Sequence, residues 1–375
     1  MQRLIHFLPD EKVTNNFISM LETVYPGESR YIIIGNTSKP RMTYLYENVE
    51  YYVNGSKELD YVLLNVSDYQ KIFIHFLKSG IGFEKINHPN MYWIIWGGDL
   101  YEGLICQKGY KIYIDEDEQF RVRAAQSPIG RIPVWLYKFI VKIRDYSDFK
   151  NRYKIIKKIK GVIAIKEDYK LLKEYCPKLN VEYAHFFSYY PIEKQIGAAN
   201  LDKECSGLNI WVGNSPALNG NQSSIFKILK DYPESLKIYC PISYGDHRLI
   251  EYIDKIGNEI LGKKFVPLKN FMTADKYFEN YFDANAFIFG HLRQCGMGSV
   301  MMALYLGGKC FLYSRSPLYS FFKRKGLIIF SIENDLNYQS TQIPLSREER
   351  KKNRELIRAI CSSETIKKQM KIVFS

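Results

Sequence analysis

The chain has 375 residues, of which 46% are hydrophobic and 25% charged, and its formal net charge is +13. This balance excludes a disordered or fibrous protein, and the length predicts two domains because single hydrophobic cores rarely grow to this size. The seven cysteines include no C-x-x-C pair, which argues against a disulfide framework or a zinc site and favours a reducing compartment.

No stretch of the sequence is suited to crossing a membrane. A membrane-spanning helix needs roughly 18 uninterrupted apolar residues, and the best candidate, residues 297–313, is interrupted by Gly307, Gly308 and Lys309. The first nine residues also lack the pattern of a secretory signal. We therefore expect a cytoplasmic protein that does not span the bilayer.

Short β-branched runs recur along the chain and predict parallel β-sheets. Several runs are apolar without alternation, which is typical of strands that are buried on both faces. Helical patterns lie between them, so the sequence predicts doubly wound α/β layers. The predicted strands are 4–8, 31–34, 61–65, 71–76, 92–96, 161–165, 181–187, 209–212, 237–241, 286–289, 309–313 and 327–331.

Two strand ends in the first half carry candidate catalytic residues. His75 ends one predicted strand, and Asp99 follows another in the motif Trp-Gly-Gly-Asp. A carboxylate at such a position is suited to deprotonate an acceptor hydroxyl, although it is equally suited to cap the next helix. His6 and His75 could also be hydrogen-bonded core residues. We predict that Asp99 and His75 are the catalytic residues.

Much of the positive charge lies between residues 121 and 160. This basic segment has twelve Lys or Arg residues against Asp145 and Asp148, a local balance of +10, and aromatic and aliphatic side chains alternate with the cations. Near an anionic bilayer each cation contributes about 1 kcal/mol, while the rings enter the interface. The segment therefore predicts peripheral membrane binding, and the alternatives are a nucleic-acid-binding face or a solvated helix pair.

A polar, glycine-containing stretch at residues 189–207 separates two predicted domains. The first spans residues 1–190 and includes the basic segment as an insertion. The second spans residues 207–345, and residues 346–375 are predicted to form closing helices.

The strand at 209–212 delivers Gly213, Asn214 and Ser215 to its carboxyl end. In an open α/β sheet this edge binds ligands, and these residue types either approach a phosphate or cap the next helix. Tyr244, which follows the strand at 237–241, is a candidate stacking platform for a nucleotide base.

The motif His-Leu-Arg-Gln-Cys-Gly-Met-Gly-Ser at 291–299 follows a strand and precedes an apolar helix. A glycine-rich turn at a helix start favours an anion, and an arginine beside it can clamp a diphosphate. The alternative is a glycine loop that only allows close packing. No Asp-x-Asp motif stands in a suitable loop, so we expect no metal. The candidate residues are Arg293, Gln294, Gly296, Gly298 and Ser299.

With these motifs in order, the chain resembles the TDP-N-acetylfucosamine:lipid II N-acetylfucosaminyltransferase family, glycosyltransferase family 56. The resemblance runs from the opening Leu4-Ile-His6 to about Leu336 and includes Trp96–Tyr101, Val212–Ser215 and Arg293–Gly298. One departure is that the family's His-Gly pair is replaced here by His75-Phe76.

The resemblance implies the GT-B fold, in which two Rossmann-like domains face each other across a cleft. It also implies a TDP-linked 4-amino-4,6-dideoxy sugar donor, an acceptor linked to undecaprenyl diphosphate, and a place on the inner face of the cell membrane. Asp99 would lie on the acceptor side, and the residues on the nucleotide side would be Gly213, Asn214, Ser215, Arg293, Gln294, Gly296 and Gly298. No cofactor beyond the donor substrate is implied.

Two other functions remain open at this stage. A Rossmann oxidoreductase or epimerase would carry Gly-x-Gly-x-x-Gly after the first strand, where this chain has Phe7-Leu-Pro-Asp10. A non-catalytic protein that binds polysaccharide or nucleic acid would show salt-dependent binding and no stabilisation by TDP.

Overall fold

A computed structural model of the chain describes residues 2–125, 133–270 and 272–375. Ile129, Arg131 and Ile132 of the basic segment lie outside these ranges. The chain divides into two units: the first comprises residues 1–110, 141–191 and 360–375, and the second comprises residues 111–140 and 192–359.

This division differs from the predicted boundaries in two places. Residues 111–140, which we assigned to the first domain, are grouped with the second unit. The end of the chain is grouped with the first unit, because Phe374 packs its ring edge-on against His6, Phe17 and Phe73. The predicted closing helices are therefore shared between the two units.

The first unit is built on an all-parallel sheet of seven strands, in the order β3-β2-β1-β4-β5-β6-β7 once the strands are numbered along the chain. Its central strands are buried on both faces, which explains their continuous apolar runs. The strands are β1 Leu4–Pro9, β2 Ser29–Gly35, β3 Val49–Val53, β4 Lys71–His75, β5 Met91–Ile94, β6 Gly161–Ile163 and β7 Glu182–Tyr183.

The second unit contains an all-parallel sheet of six strands, numbered β8 to β13. They are β8 Asn209–Val212, β9 Ile238–Pro241, β10 Phe265–Leu268, β11 Ala284–Phe289, β12 Lys309–Leu312 and β13 Phe330–Ser331, arranged in the order β10-β9-β8-β11-β12-β13. One face of this sheet packs on a core that includes Ile210, Ile225 and Phe226.

Helices connect the strands, as parallel pairing requires. In chain order they are α1 Lys12–Glu22, α2 Lys57–Leu64, α3 Gly98–Tyr101, α4 Glu116–Ala125, α5 Val134–Ile156, α6 Lys166–Tyr175, α7 Ile192–Ile196, α8 Gln222–Leu229, α9 His247–Leu261, α10 Ala274–Phe282, α11 Met297–Tyr305, α12 Pro317–Arg324, α13 Ile332–Asp335, α14 Tyr338–Gln342, α15 Arg347–Cys361 and α16 Ser363–Phe374. No helix in the described part of the chain is both long and apolar enough to cross a membrane.

The strand order of each sheet reverses once, and the reversal marks a place for ligands. In the first unit the chain builds β1 to β3 on one side and then returns to place β4 beside β1. In the second unit it builds β8 to β10 and then returns to place β11 beside β8. Ligands of open α/β sheets bind at the carboxyl ends of the two strands that flank such a reversal.

The predicted strand at 61–65 is wrong, because these residues belong to α2 and the turn after it. The side chain of Ser56 accepts a hydrogen bond from the backbone N–H of Leu59 and so caps the helix. Leu59, Val62 and Leu63 are buried at helical spacing. The strands β3 and β10 were not predicted.

Candidate active site

Asp99 lies at the carboxyl edge of the first sheet, but its carboxylate is fully buried. The oxygens accept hydrogen bonds from the indole N–H of Trp93 at 2.6 Å, from the backbone N–H of Leu77 at 3.0 Å and from that of Trp96 at 3.1 Å. Burial raises the pKa of Asp99, and these donors oppose that rise. The geometry does not support the predicted role of base, because both oxygens are directed at the protein itself.

His75 lies in the middle of a hydrogen-bonded chain of side chains. The indole N–H of Trp96 donates to the hydroxyl oxygen of Tyr189 at 2.6 Å, and that hydroxyl lies 2.6 Å from Nδ1 of His75. Nε2 of His75 in turn lies 3.1 Å from Nδ1 of His6, within hydrogen-bond distance. Both ring nitrogens of His75 are thus engaged, so His75 positions Tyr189 and has no nitrogen left for a substrate.

Phe76, next to His75, has a φ of 57°, in the left-handed region that favours glycine. Its ring lies 3.4 Å from the position that a Cβ on Gly98 would take. Phe76 thus takes a backbone conformation in which glycine is the usual residue. Non-glycine residues in this region persist where the surrounding contacts hold them, and they cluster at binding sites.

The histidine pair makes the stability of the protein depend on pH. Burial lowers the pKa of His6 to about 3 and lowers that of His75 in the same direction. Below about pH 6.5 these two histidines therefore bind protons in the unfolded chain but not in the folded chain. As the pH decreases below this value, the free energy of unfolding decreases. We expect the free energy of unfolding to drop by about 2 kcal/mol or more between pH 6.5 and 5.

Chemical denaturation at a series of pH values measures this loss. His6→Gln should flatten the dependence, whereas the same substitution at the exposed His247 should leave it intact. An unchanged slope in His6→Gln would show that the pair does not cause the acid sensitivity.

In the second unit, the reversal between β8 and β11 brings two predicted motifs together. Gly213 has a φ of 74°, and its backbone N–H donates to the carbonyl of Ile288 at 2.9 Å. The side chain of Asn214 then packs against the turn before α11, where its Cγ is 3.1 Å from the position of a Cβ on Gly296. The loop after β8 and the start of α11 are therefore in contact.

The start of α11 offers free backbone donors. Gly296 precedes the helix with a φ of 67°, and its carbonyl accepts the first helical hydrogen bond from the N–H of Val300. The N–H groups of Met297, Gly298 and Ser299 have no carbonyl within the helix to bond. Arg293 and Gln294 are half-buried beside this turn.

Tyr244 joins the same site from the end of β9. Its hydroxyl donates to the backbone carbonyl of Asn214 at 3.2 Å, while the residue keeps 61% of its surface exposed. Desolvation of the hydroxyl raises the pKa of Tyr244, and the thiol of Cys295 adds to the rise. An exposed ring held by its hydroxyl is suited to stack on a flat ligand.

Several buried polar atoms near these motifs have no hydrogen-bond partner within the described residues. The two ring nitrogens of His291 are the clearest case, since the residue is 1% exposed. Burying such an atom unpaired costs about 1–3 kcal/mol, and a bound polar ligand would remove that cost. Further cases are Oε1 of Gln195, Oδ1 of Asn214, Oε1 of Gln222 and Oε1 of Gln294.

The structure thus brings Asn214, Tyr244 and Gly296 into one site, with Gly213, Ser215, Arg293, Gln294, Gly298 and Ser299 adjoining them in the chain. Sequence reasoning missed Gln195, Gln222 and His291. His291 follows β11 directly and could have been found from its place in the motif. Gln195 precedes the first strand of its unit, and only the fold places it near Gly298.

The sequence model of a known family matches residues 136–352, which is more than half of the chain. Its description is 4-alpha-L-fucosyltransferase, glycosyl transferase group 56. No curated protein matches the chain significantly by sequence.

Solved structures of GT-B glycosyltransferases resemble the chain over its whole length. Sucrose-phosphate synthase from Thermosynechococcus elongatus has a TM-score of 0.64 at 11% identity and covers 100% of this chain and 98% of its own. HepE from Anabaena, in complex with UDP and glucose, has a TM-score of 0.56 at 10% identity, with 100% and 99% covered. Alpha,alpha-trehalose 6-phosphate synthase from Burkholderia multivorans has a TM-score of 0.55 at 10% identity, with 98% and 97% covered. At such identities the likeness shows the GT-B fold, as predicted.

Proposed function

Since the chain belongs to the 4-alpha-L-fucosyltransferase family, glycosyltransferase group 56, we propose that it transfers an N-acetylfucosamine-like deoxyamino sugar from TDP to a lipid-linked saccharide. Membership of this family makes the chain a glycosyltransferase. It therefore excludes the two alternative functions, an oxidoreductase or epimerase and a non-catalytic binding protein. The nucleotide, the sugar and the lipid-linked acceptor are the proposed part.

The second unit binds the diphosphate of the donor at the start of α11. The N–H groups of Met297 to Ser299 and the guanidinium of Arg293 supply the donors, and the helix dipole favours the negative charge. When the glycosidic bond to the sugar breaks, charge builds on the departing diphosphate, and donors already in place stabilise it without reorganising. Tyr244 stacks on the base.

One observation carries this assignment. The side chain of Asn214 contacts the turn at Gly296 at the strand reversal. Several polar atoms buried in the same loops, including both ring nitrogens of His291, have no hydrogen-bond partner in the part of the chain that the structure describes. A helix start on its own would be weak support. A helix start lined by desolvated polar atoms is what a site for a polar ligand looks like before the ligand binds.

The first unit recognises the acceptor at the carboxyl edge of its own sheet. Phe76, Trp96 and Tyr189 are half-exposed there, with ring centroids 6.0 Å and 5.3 Å apart in that order. Asp99 and His75 hold these rings in place through the backbone N–H of Trp96 and the hydroxyl of Tyr189. Their proposed role is therefore to position the groups that contact the acceptor.

Activity is tested by mixing the full chain with TDP-4-acetamido-4,6-dideoxygalactose and an undecaprenyl-diphosphate-linked saccharide. Release of TDP that depends on the acceptor, together with a product that is heavier by one acetamidodideoxyhexose, would support the proposal. If the same chain releases UDP from UDP-glucose and leaves the TDP-sugar intact, the proposed donor is wrong.

We also propose that helix α5 binds an anionic membrane surface, where a lipid-linked acceptor resides. Trp135, Phe139, Ile143 and Tyr146 occupy positions at intervals of four, four and three residues, so they share one side of the helix. Each of them is exposed by at least 52%. The lysines at 142, 150, 154 and 157 are exposed on the same helix or just after it.

This proposal predicts that Trp135→Ala combined with Phe139→Ala weakens binding to vesicles of phosphatidylglycerol and phosphatidylcholine by at least about tenfold, since each ring buries apolar surface in the interface. Co-sedimentation at fixed lipid concentration measures the effect. Tyr61→Ala removes an equally exposed ring from α2 and should leave binding unchanged. Equal binding of all three proteins would contradict the proposal.

A further inference from the structure

The glycines of the 291–299 motif make room for two amide side chains. A Cβ on Gly298 would lie 3.1 Å from Nε2 and 3.2 Å from Oε1 of Gln195, which belongs to α7. A Cβ on Gly296 would be similarly close to the amide of Asn214. The sequence predicted that this turn binds an anion through its backbone N–H groups, and the structure adds that its two glycines are lined by side-chain amides.

Both amides carry a carbonyl oxygen that is buried and receives no hydrogen bond from the described residues: Oε1 of Gln195 and Oδ1 of Asn214. Oε1 of Gln222 is a third buried oxygen without a hydrogen bond from the described residues, and the residue is only 2% exposed. The Nε2 of the same amide donates to the carbonyl of Ser215 at 2.7 Å. A carbonyl oxygen can only accept. The missing partners are therefore donors.

A diphosphate at neutral pH presents acceptor oxygens and cannot fill this role. Hydroxyl groups and the N–H of an acylated amine can. On a TDP-sugar most of these donors lie on the sugar, next to the diphosphate, since the nucleoside adds only its 3′-hydroxyl and the N3–H of thymine. A site built to hydrogen-bond such groups rejects analogues that lack them, because its own polar atoms then remain buried and unpaired.

We infer that Gln195 and Asn214 form a subsite that binds the sugar of the donor through its hydroxyl or amide N–H groups, and that Gln195 is a specificity-determining residue of the reaction. The inference rests on the proposed function, since it takes the start of α11 as the place of the diphosphate. Gln195 contributes to recognition of the sugar and not to that of the nucleotide.

Calorimetry on the full chain, with TDP and with TDP-4-acetamido-4,6-dideoxygalactose as separate ligands, tests the inference. We compare the ratio of the affinity for the TDP-sugar to the affinity for TDP. A change in the binding of the TDP group alters both affinities equally and leaves this ratio unchanged. Gln195→Met has nearly the same shape but no acceptor, and it should lower the affinity for the TDP-sugar at least tenfold while affinity for TDP stays within twofold. Gln195→Glu keeps acceptor oxygens and should preserve the ratio.

Gln339→Met is the matched control. Gln339 is exposed on α14, and this helix lies at the opposite edge of the sheet, where the carbonyl of Thr341 accepts a hydrogen bond from Asn285 near the start of β11. Its ratio should equal that of the wild type. If Gln195→Met also leaves the ratio unchanged, or lowers both affinities equally, the inference is overturned. If the wild type fails to bind TDP, the proposed function itself fails, and the inference falls with it.

Discussion

Arg293→Ala should weaken the binding of TDP by about 30-fold or more, because a charged hydrogen bond to phosphate contributes about 1.5–3 kcal/mol and a guanidinium can form two. Arg293 lies between the buried Leu292 and the glycine turn, so the fold fixes its backbone close to the start of α11. Isothermal titration of the full chain with TDP measures the effect directly.

Two further variants separate charge from structure in this experiment. Arg293→Lys keeps the charge but loses the two-pronged geometry, so we expect an intermediate loss. Arg347→Ala removes an exposed arginine at the start of α15 and should bind TDP like the wild type. Unchanged TDP affinity in Arg293→Ala would remove Arg293 from the site.

Asp99→Asn should destabilise the first unit by about 3 kcal/mol, because the buried carboxylate that accepts three N–H groups is replaced by an amide that offers donors of its own. Loss of the anchor also frees the backbone of Leu77 and Trp96. We expect turnover to fall by about 100-fold, which is what a displacement of about 1 Å near the reacting groups can cost. TDP affinity should persist, since the nucleotide is assigned to the second unit.

Chemical denaturation and TDP release together decide between two roles for Asp99. A positioning residue loses stability and activity together, as proposed. A variant with wild-type stability but no turnover would return Asp99 to the role of base that its sequence motif suggested. Asp68→Asn alters an exposed carboxylate of the same unit and should change neither property.

The sequence predicted much of the fold, because strands buried on both faces leave a clear apolar signature. Ile32, Ile33 and Ile72 to Ile74 stand in such runs, and all are buried. The apolar run near Val62 was misread since a short buried run does not distinguish strand from helix, and the Ser56 cap was overlooked. β3 was missed because Glu50 and two tyrosines make this edge strand look polar.

The candidate site was predictable where a sequence motif shows both the type of side chain and its position at the end of a strand. Gly213, Asn214 and the 291–299 motif each follow a strand, and the rule for parallel sheets brings such ends together. The burial of Asp99 was not predictable, because its sequence motif is compatible both with a carboxylate that faces solvent and with one that accepts hydrogen bonds from three N–H groups. Gln195 could not be found either, because its neighbour Gly298 is distant in the chain and the contact exists only in the fold.

A crystal structure of the full chain with TDP tests the central claim most directly. We expect the diphosphate oxygens to accept hydrogen bonds from the N–H groups of residues 297–299 and from Arg293, with the base beside Tyr244. Ordered TDP bound elsewhere, or an empty α11 start at a TDP concentration that saturates binding in solution, would contradict it.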